Sequence, residues 1–155
     1  MKSLIVVFSY HHHNTKKVAD VFAKVLSAPV VNPLETSPTE PQKYDLVGFG
    51  SGIDSDHHYK PLLDFADKLS QVRGKKAFIF STCGNPFDVQ KYAVKCHFAL
   101  REKLISKGYI IVDEFICRGF NTNVFLKYFG GINKGQPNET DLENAKNFAK
   151  KLKKL

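Results

Sequence analysis

The feature that most constrains this chain is a repeated alternation. Short apolar runs of strand length, "KSLIVVF" (residues 2 to 8), "YDLVGFG" (44 to 50), "KKAFIFS" (75 to 81) and "YIIVDEF" (109 to 115), are separated by longer segments with apolar residues at helical spacing. The runs are nearly continuous in apolar and β-branched residues, so each reads as a strand covered on both faces. Between them, Val18, Phe22, Val25 and Leu26 mark one helix running from Asn14 to the stop at Pro29, and Leu62, Phe65, Ala66 and Leu69 mark a second with Pro61 in its first turn. Val89, Ala93, Cys96, Leu100 and Leu104 trace a third helix ended by Gly108, and Leu142, Ala145, Phe148, Ala149 and Leu152 a last one starting near Asn138. "APVVNP" holds a further short strand between prolines. Ile116 to Pro137 reads as a loop-rich stretch interrupted by "VFLKYF".

Strands alternating with helices imply parallel pairing and right-handed crossovers. The expected fold is therefore a three-layer α/β sandwich around a five-stranded parallel sheet. With no compositional break, residues 1 to 155 form one domain. The apolar N-terminal run is too short for a signal segment and no apolar stretch of membrane length follows, so a soluble, cytoplasmic chain is expected. Cys83, Cys96 and Cys117 have no C-x-x-C spacing and are odd in number, which disfavours a disulfide framework or structural zinc. The formal charge of +8 gathers in "KNFAKKLKKL". No nucleic-acid motif accompanies it, so a solvated basic face is preferred over a nucleic-acid partner.

Chain direction sorts the polar turns. In a parallel sheet the segments after residues 8, 49 and 80 leave at one edge, which brings together "SYHHHNTK", "GSGIDSDHHY" and "STCGNP". The first turn places Ser9, Asn14 and Thr15 at a helix start, where unpaired N–H groups and the helix dipole favour an anion such as phosphate; a helix-capping role for Asn14 or Thr15 remains the alternative. Neither the GxxxxGK[ST] loop nor the GxGxxG fingerprint is present, which demotes ATP and NAD. The three adjacent histidines point in different directions, so they fit hydrogen bonding to an anion better than a metal site.

At these loops the chain resembles the flavodoxin-like proteins, in particular their short single-domain members. "SYHHHNTKKVA" is similar to the flavin-phosphate loop of that family, "GFGSGI" to the loop beside one ring face and "FSTCG" to the loop at the pyrimidine side. The later stretches "HFALREKLISKGY", "CRGFNT" and "GGINKGQPNETDLENAKNFAKKL" also resemble recurring parts of the subgroup. The resemblance implies FMN as cofactor, with Ser9, His11, His12, Asn14 and Thr15 around its phosphate. It implies that Ser51, Gly52, Ile53 and Asp54, together with Ser81, Thr82, Cys83 and Gly84, border the isoalloxazine. Two positions depart from the family pattern: His13 stands where glycine is usual, and Asp54 where an aromatic residue commonly meets the ring. Histidine at 13 must take an unfavourable φ or change the turn. Tyr10, His57, His58 or Tyr59 are the substitutes available as a ring platform.

The function implied is an FMN-dependent electron carrier or small reductase, with no catalytic side chain assigned. Because the chain is basic where typical family carriers are acidic, its expected redox partner has an acidic docking surface. A non-flavin binding or signalling module on the same fold, and a basic nucleic-acid-associated protein, are the alternatives.

Overall fold

The computed structural model describes residues 1–10, 12–85, 88–120 and 130–155. Strand β1 (Ser3–Phe8) feeds helix α1 (Asn14–Leu26), whose C-terminal Ser27 takes a left-handed conformation while Ala28 N–H bonds back to Ala23 C=O at 3.0 Å. Next come β2 (Val30–Val31), a 3-10 turn at Glu40–Lys43, β3 (Leu46–Asp54), β4 (His57–His58) and α2 (Lys60–Lys68). The second half holds β5 (Lys75–Cys83), α3 (Val89–Cys96), α4 (Phe98–Ser106), β6 (Tyr109–Arg118) and α5 (Glu139–Leu152).

The strands lie in the order β2-β1-β3-β5-β6, all parallel, with β4 added antiparallel to the end of β3. The parallel five are those legible in the sequence; the two-residue β4 makes a sixth. Alternation along each strand then divides the core. Leu4, Val6, Phe49 and Ile79 face Leu62, Phe65, Leu100 and Leu104 of α2 and α4. Ile5, Phe78 and Phe80 face Val18 and Phe22 of α1 and Ala145 and Ala149 of α5. A sheet buried on both sides explains why its strands read as continuous apolar runs.

The glycines of "VGFG" are strand residues, and their role is spatial. Gly48 and Gly50 pair with Phe78 and Phe80 of β5, and a Cβ on either would lie 2.3 or 2.4 Å from those rings. The large rings occupy the room that the two missing side chains leave, and Phe22 closes the cluster edge-on at 5.4 and 5.1 Å.

Three boundaries differ from the sequence expectation. Strands β3, β5 and β6 run on to Asp54, Cys83 and Arg118, because small polar residues carry a ladder as well as apolar ones once both neighbours supply backbone partners. The segment from Val89 to Ser106 is two helices meeting at His97, whose imidazole is drawn into the sheet. At α5 the expectation is met in detail: Asn138 and Asp141 form a reciprocal capping box, each side chain accepting the other's N–H at 2.9 Å. "VFLKYF" lies outside the described residues. No helix among the described residues is long and apolar enough to cross a membrane.

Candidate functional site

The carboxyl ends of β1, β3, β5 and β6 enclose one cleft. Its walls are Ser9 and Tyr10 after β1, Asn14 and Thr15 of α1, Gly52, Ile53 and Tyr59 from the β3–β4 hairpin, Thr82 to Gly84, and Gly119 and Phe120 after β6. The three turns that chain direction brings together are all present, and a fourth joins them because β6 ends at the same edge.

The turn into α1 is made by histidines in an unusual conformation. His12 and His13 have φ of 53° and 52°, a left-handed region that costs a non-glycine residue roughly 1–2 kcal/mol. So His13 takes the unfavourable φ, and the helix begins directly at Asn14 without a side-chain cap from His13 and without an acidic residue in its first turn. Ser9 Oγ accepts the N–H of Lys16 at 3.2 Å, tying the strand end to the helix start. A helix start with no cap from its own N-cap residue and no carboxylate in its first turn suits an anion.

Thr15, almost fully buried, shares a 2.8 Å hydrogen bond with Thr82, joining the start of α1 to the end of β5. Whichever hydroxyl donates, the other keeps its own O–H to offer the cleft. Asn14 Nδ2 donates to Phe120 C=O at 2.8 Å, while its Oδ1 is buried with no partner among the described residues. That acceptor can take an O–H or N–H from water or a ligand, but not from a phosphate dianion, which has none to give. Gly119 lets this arrangement form, because a Cβ there would meet Asn14 Nδ2 at 2.8 Å.

The aromatic wall is Tyr10, largely exposed, and Tyr59, which sits edge-on to Phe8 at 5.8 Å. Burial raises the Tyr59 phenol above its ordinary pKa, with the charge of Asp54 adding to it. Cys83 lines the cleft, but burial also pushes its thiol up, which keeps it protonated and a poor nucleophile.

The remaining sequence candidates are distributed as follows. Ser9, Asn14, Thr15, Gly52, Ile53, Thr82, Cys83 and Gly84 line the cleft. His12 is exposed, its ring 4.5 Å from that of Phe120; Asp54 is exposed and is not part of the wall. His11 lies outside the described residues. Ser51 and Ser81, paired across β3 and β5, point away from the cleft into the core. Their hydroxyls are used internally: Ser51 meets His58 Nδ1 at 3.0 Å and Ser81 meets His97 Nε2 at 2.6 Å. His97 Nδ1 continues to Glu114 Oε2 at 2.8 Å, and Arg101 forks onto the same carboxylate, Nη2 at 2.7 Å from Oε2. No group of three or more His, Cys, Asp or Glu among the described residues is arranged to hold a metal.

The family model for the flavodoxin domain matches residues 5–150. The chain belongs to the flavodoxin domain family. It is 47% identical over 154 residues, 99% of either chain, to an uncharacterized protein of Methanocaldococcus jannaschii, MJ0298. Among solved structures, oxidised flavodoxin 1 from Bacillus cereus superposes with a TM-score of 0.73 at 23% identity, covering 99% of both chains. An NADH:FMN oxidoreductase in its apo form superposes with a TM-score of 0.63 at 19% identity, over 98% of this chain and 90% of that one. At such identities the structural likeness establishes the flavodoxin-like fold, and the residues above must carry anything finer.

Two wall residues, Gly119 and Phe120, escape a reading based on three loops. The signal for them is the apolar pair Ile116 and Cys117, which carries β6 as far as the cleft edge.

Proposed function

We propose that this flavodoxin-domain chain binds one FMN in the cleft and serves as an electron-transfer protein or small flavin-dependent oxidoreductase. The observation that carries the reading is the start of α1: a carboxylate-free first turn, with no cap from His13, beside the Thr15–Thr82 hydroxyl pair. It suits a terminal phosphate. Ser9 and Thr15 hold that end, the Asn14 Oδ1 acceptor takes a hydroxyl or N–H further along the ligand, and Gly52 lets the Tyr59 ring lie against the strand at the cleft wall, where a Cβ would meet it at 2.6 Å. Tyr10 and Tyr59 replace the aromatic neighbour that Asp54 does not provide. When bound, FMN supplies the redox chemistry at its isoalloxazine, while the protein fixes its position and excludes water from one side.

The partner proposed is a redox protein with an acidic docking surface, matched to the net charge of +8. Association with it should weaken as ionic strength rises.

Replacing Thr15 with alanine tests the phosphate role. The variant should bind FMN more weakly by about 1–3 kcal/mol, the range for a hydrogen bond to a charged group, with little change for riboflavin, which lacks the phosphate. Calorimetric titration of both ligands into both proteins measures this. Equal losses for the two ligands would assign Thr15 to holding the loops together and not to an anion.

A further inference from the structure

Behind the cleft wall lies a buried basic nitrogen that the proposed redox role does not use. Ser51 Oγ lies 2.7 Å from Gly52 C=O, to which it donates, and accepts the N–H of Tyr59 at 3.0 Å. With that donation kept, the contact with His58 Nδ1 is assigned as an Nδ1–H donation, which leaves His58 Nε2 as a lone pair. That atom is buried and has no partner among the described residues. The residue is 2% exposed, and its ring lies tilted by 31° to that of His97 with centroids 5.1 Å apart.

We infer that His58 is a pH-sensitive latch on the β3–β4 hairpin, whose protonation releases the wall of the cleft formed by Gly52, Ile53 and Tyr59. The hairpin is short and depends on side chains. Only Ile53–His58 and Asp54–His57 pair across it, and its turn residues Ser55 and Asp56 both have positive φ. Four hydrogen bonds hold it: Ser51 with His58, Ser51 with the Tyr59 N–H, and Asp56 with both Tyr92 and Lys95 of α3.

A second proton on His58 lands on Nε2, where it finds no acceptor among the described residues. The other groups around it do not offset this. Ser81 and Glu114, from β5 and β6, are bonded to His97, and Arg101 of α4 to Glu114. Tyr92 and Lys95 are bonded to Asp56, while Asp54 and His57 of its own hairpin are exposed. Burial, and then the charge of His97, hold the folded His58 well below the ordinary 6.5. The sign follows. The closed hairpin binds fewer protons than the open one, so closure is fully favoured above about pH 6.5 and is lost as pH falls below it. The Asp56 clasp persists over this range, because its bonds to Lys95 and Tyr92 lower the carboxyl pKa.

The latch operates without a ligand, so it is tested on the ligand-free chain and its failure leaves the FMN reading intact. Amide exchange of Tyr59 is measured by NMR between pH 7.5 and pH 5, corrected for the intrinsic rate, in wild type and in His58→Asn, whose amide can keep the bond to Ser51. The expected result is that Tyr59 protection falls by about tenfold per pH unit below about 6.5, the slope for one proton taken up on opening. The core amides of Phe49 and Ile79 should hold theirs, and His58→Asn should lose the slope. The His58 ring resonance in wild type should still report a neutral ring at pH 6.5, where protection begins to fall, and titrate only below it, a criterion that stands even if the variant does not fold. Flat Tyr59 protection in wild type, an equal slope in His58→Asn, or core amides opening in step with Tyr59 would each overturn the latch.

Discussion

Replacing Glu114 with glutamine should lower the unfolding free energy by about 3 kcal/mol, the low end of the cost of removing one partner of a buried pair, because this pair is partly buried. Its carboxylate accepts from Arg101 Nε and Nη2 and from His97 Nδ1, all from donors packed between α4 and the sheet. An amide presents an NH₂ where one oxygen stood, so a donor meets a donor and the guanidinium is left half-buried without its charge partner. Burial alone opposes the charge on Glu114, yet the hydrogen bonds from His97 and Arg101 prevail and bring its pKa down to about 2. The carboxylate's stabilisation is therefore complete above the ordinary value near 4.5 and disappears as pH falls from there toward 2. Urea unfolding at pH 7 and at pH 3.5 checks both parts: wild type should lose much of its advantage over the variant at the lower pH. An exposed pair such as Lys16–Asp20 sets the scale for comparison, since breaking it should change stability by less than about 1 kcal/mol. A loss that small in Glu114→Gln would show that the network is no stronger than a surface ion pair.

Phe22→Ala should cost a similar amount, about 3–5 kcal/mol. Phe22 is completely buried and its ring meets four others, Phe78, Phe80, Phe115 and Phe148, at centroid distances from 5.1 to 5.6 Å. Collapse cannot fill the resulting cavity easily, because Phe78 and Phe80 are already fixed in the space above Gly48 and Gly50. Val94→Ala on the exposed side of α3 should stay within about 0.5 kcal/mol. Chemical denaturation of the two variants provides the test; near-equal midpoints would mean that the aromatic cluster does not determine the packing of α1 on the sheet.

The core was legible because its signal repeats. Val18, Phe22 and Leu26 at helical spacing, and Leu4 to Val7 in one run, report burial directly. Strand ends were harder to read, since Ser51, Gly52 and Thr82 lack the apolar signature by which a strand is recognised. Once β3 and β5 are known to continue, the two-residue alternation sorts these positions: Gly52 and Thr82 reach the cleft, and Ser51 and Ser81 turn into the core. The buried network had no sequence signal at all. Residues 51, 58, 81, 97, 101 and 114 come from different elements and meet only after the sheet and α4 have packed. The left-handed turn was legible in part, since a histidine at position 13 leaves the chain few choices of φ; that His12 would share the conformation was not.

Titrating FMN and riboflavin in parallel into the ligand-free chain, followed by flavin fluorescence and absorption, tests the central claim most directly. Both ligands carry the same ring, so the difference between them isolates the phosphate end at Ser9 and Thr15. Saturable binding of FMN at one site per chain is expected, tighter than riboflavin by roughly tenfold or more, equivalent to about 1.4 kcal/mol from charge-assisted bonds at the helix start. No saturable binding, or equal affinity for the two, would contradict the assignment of the cleft to FMN.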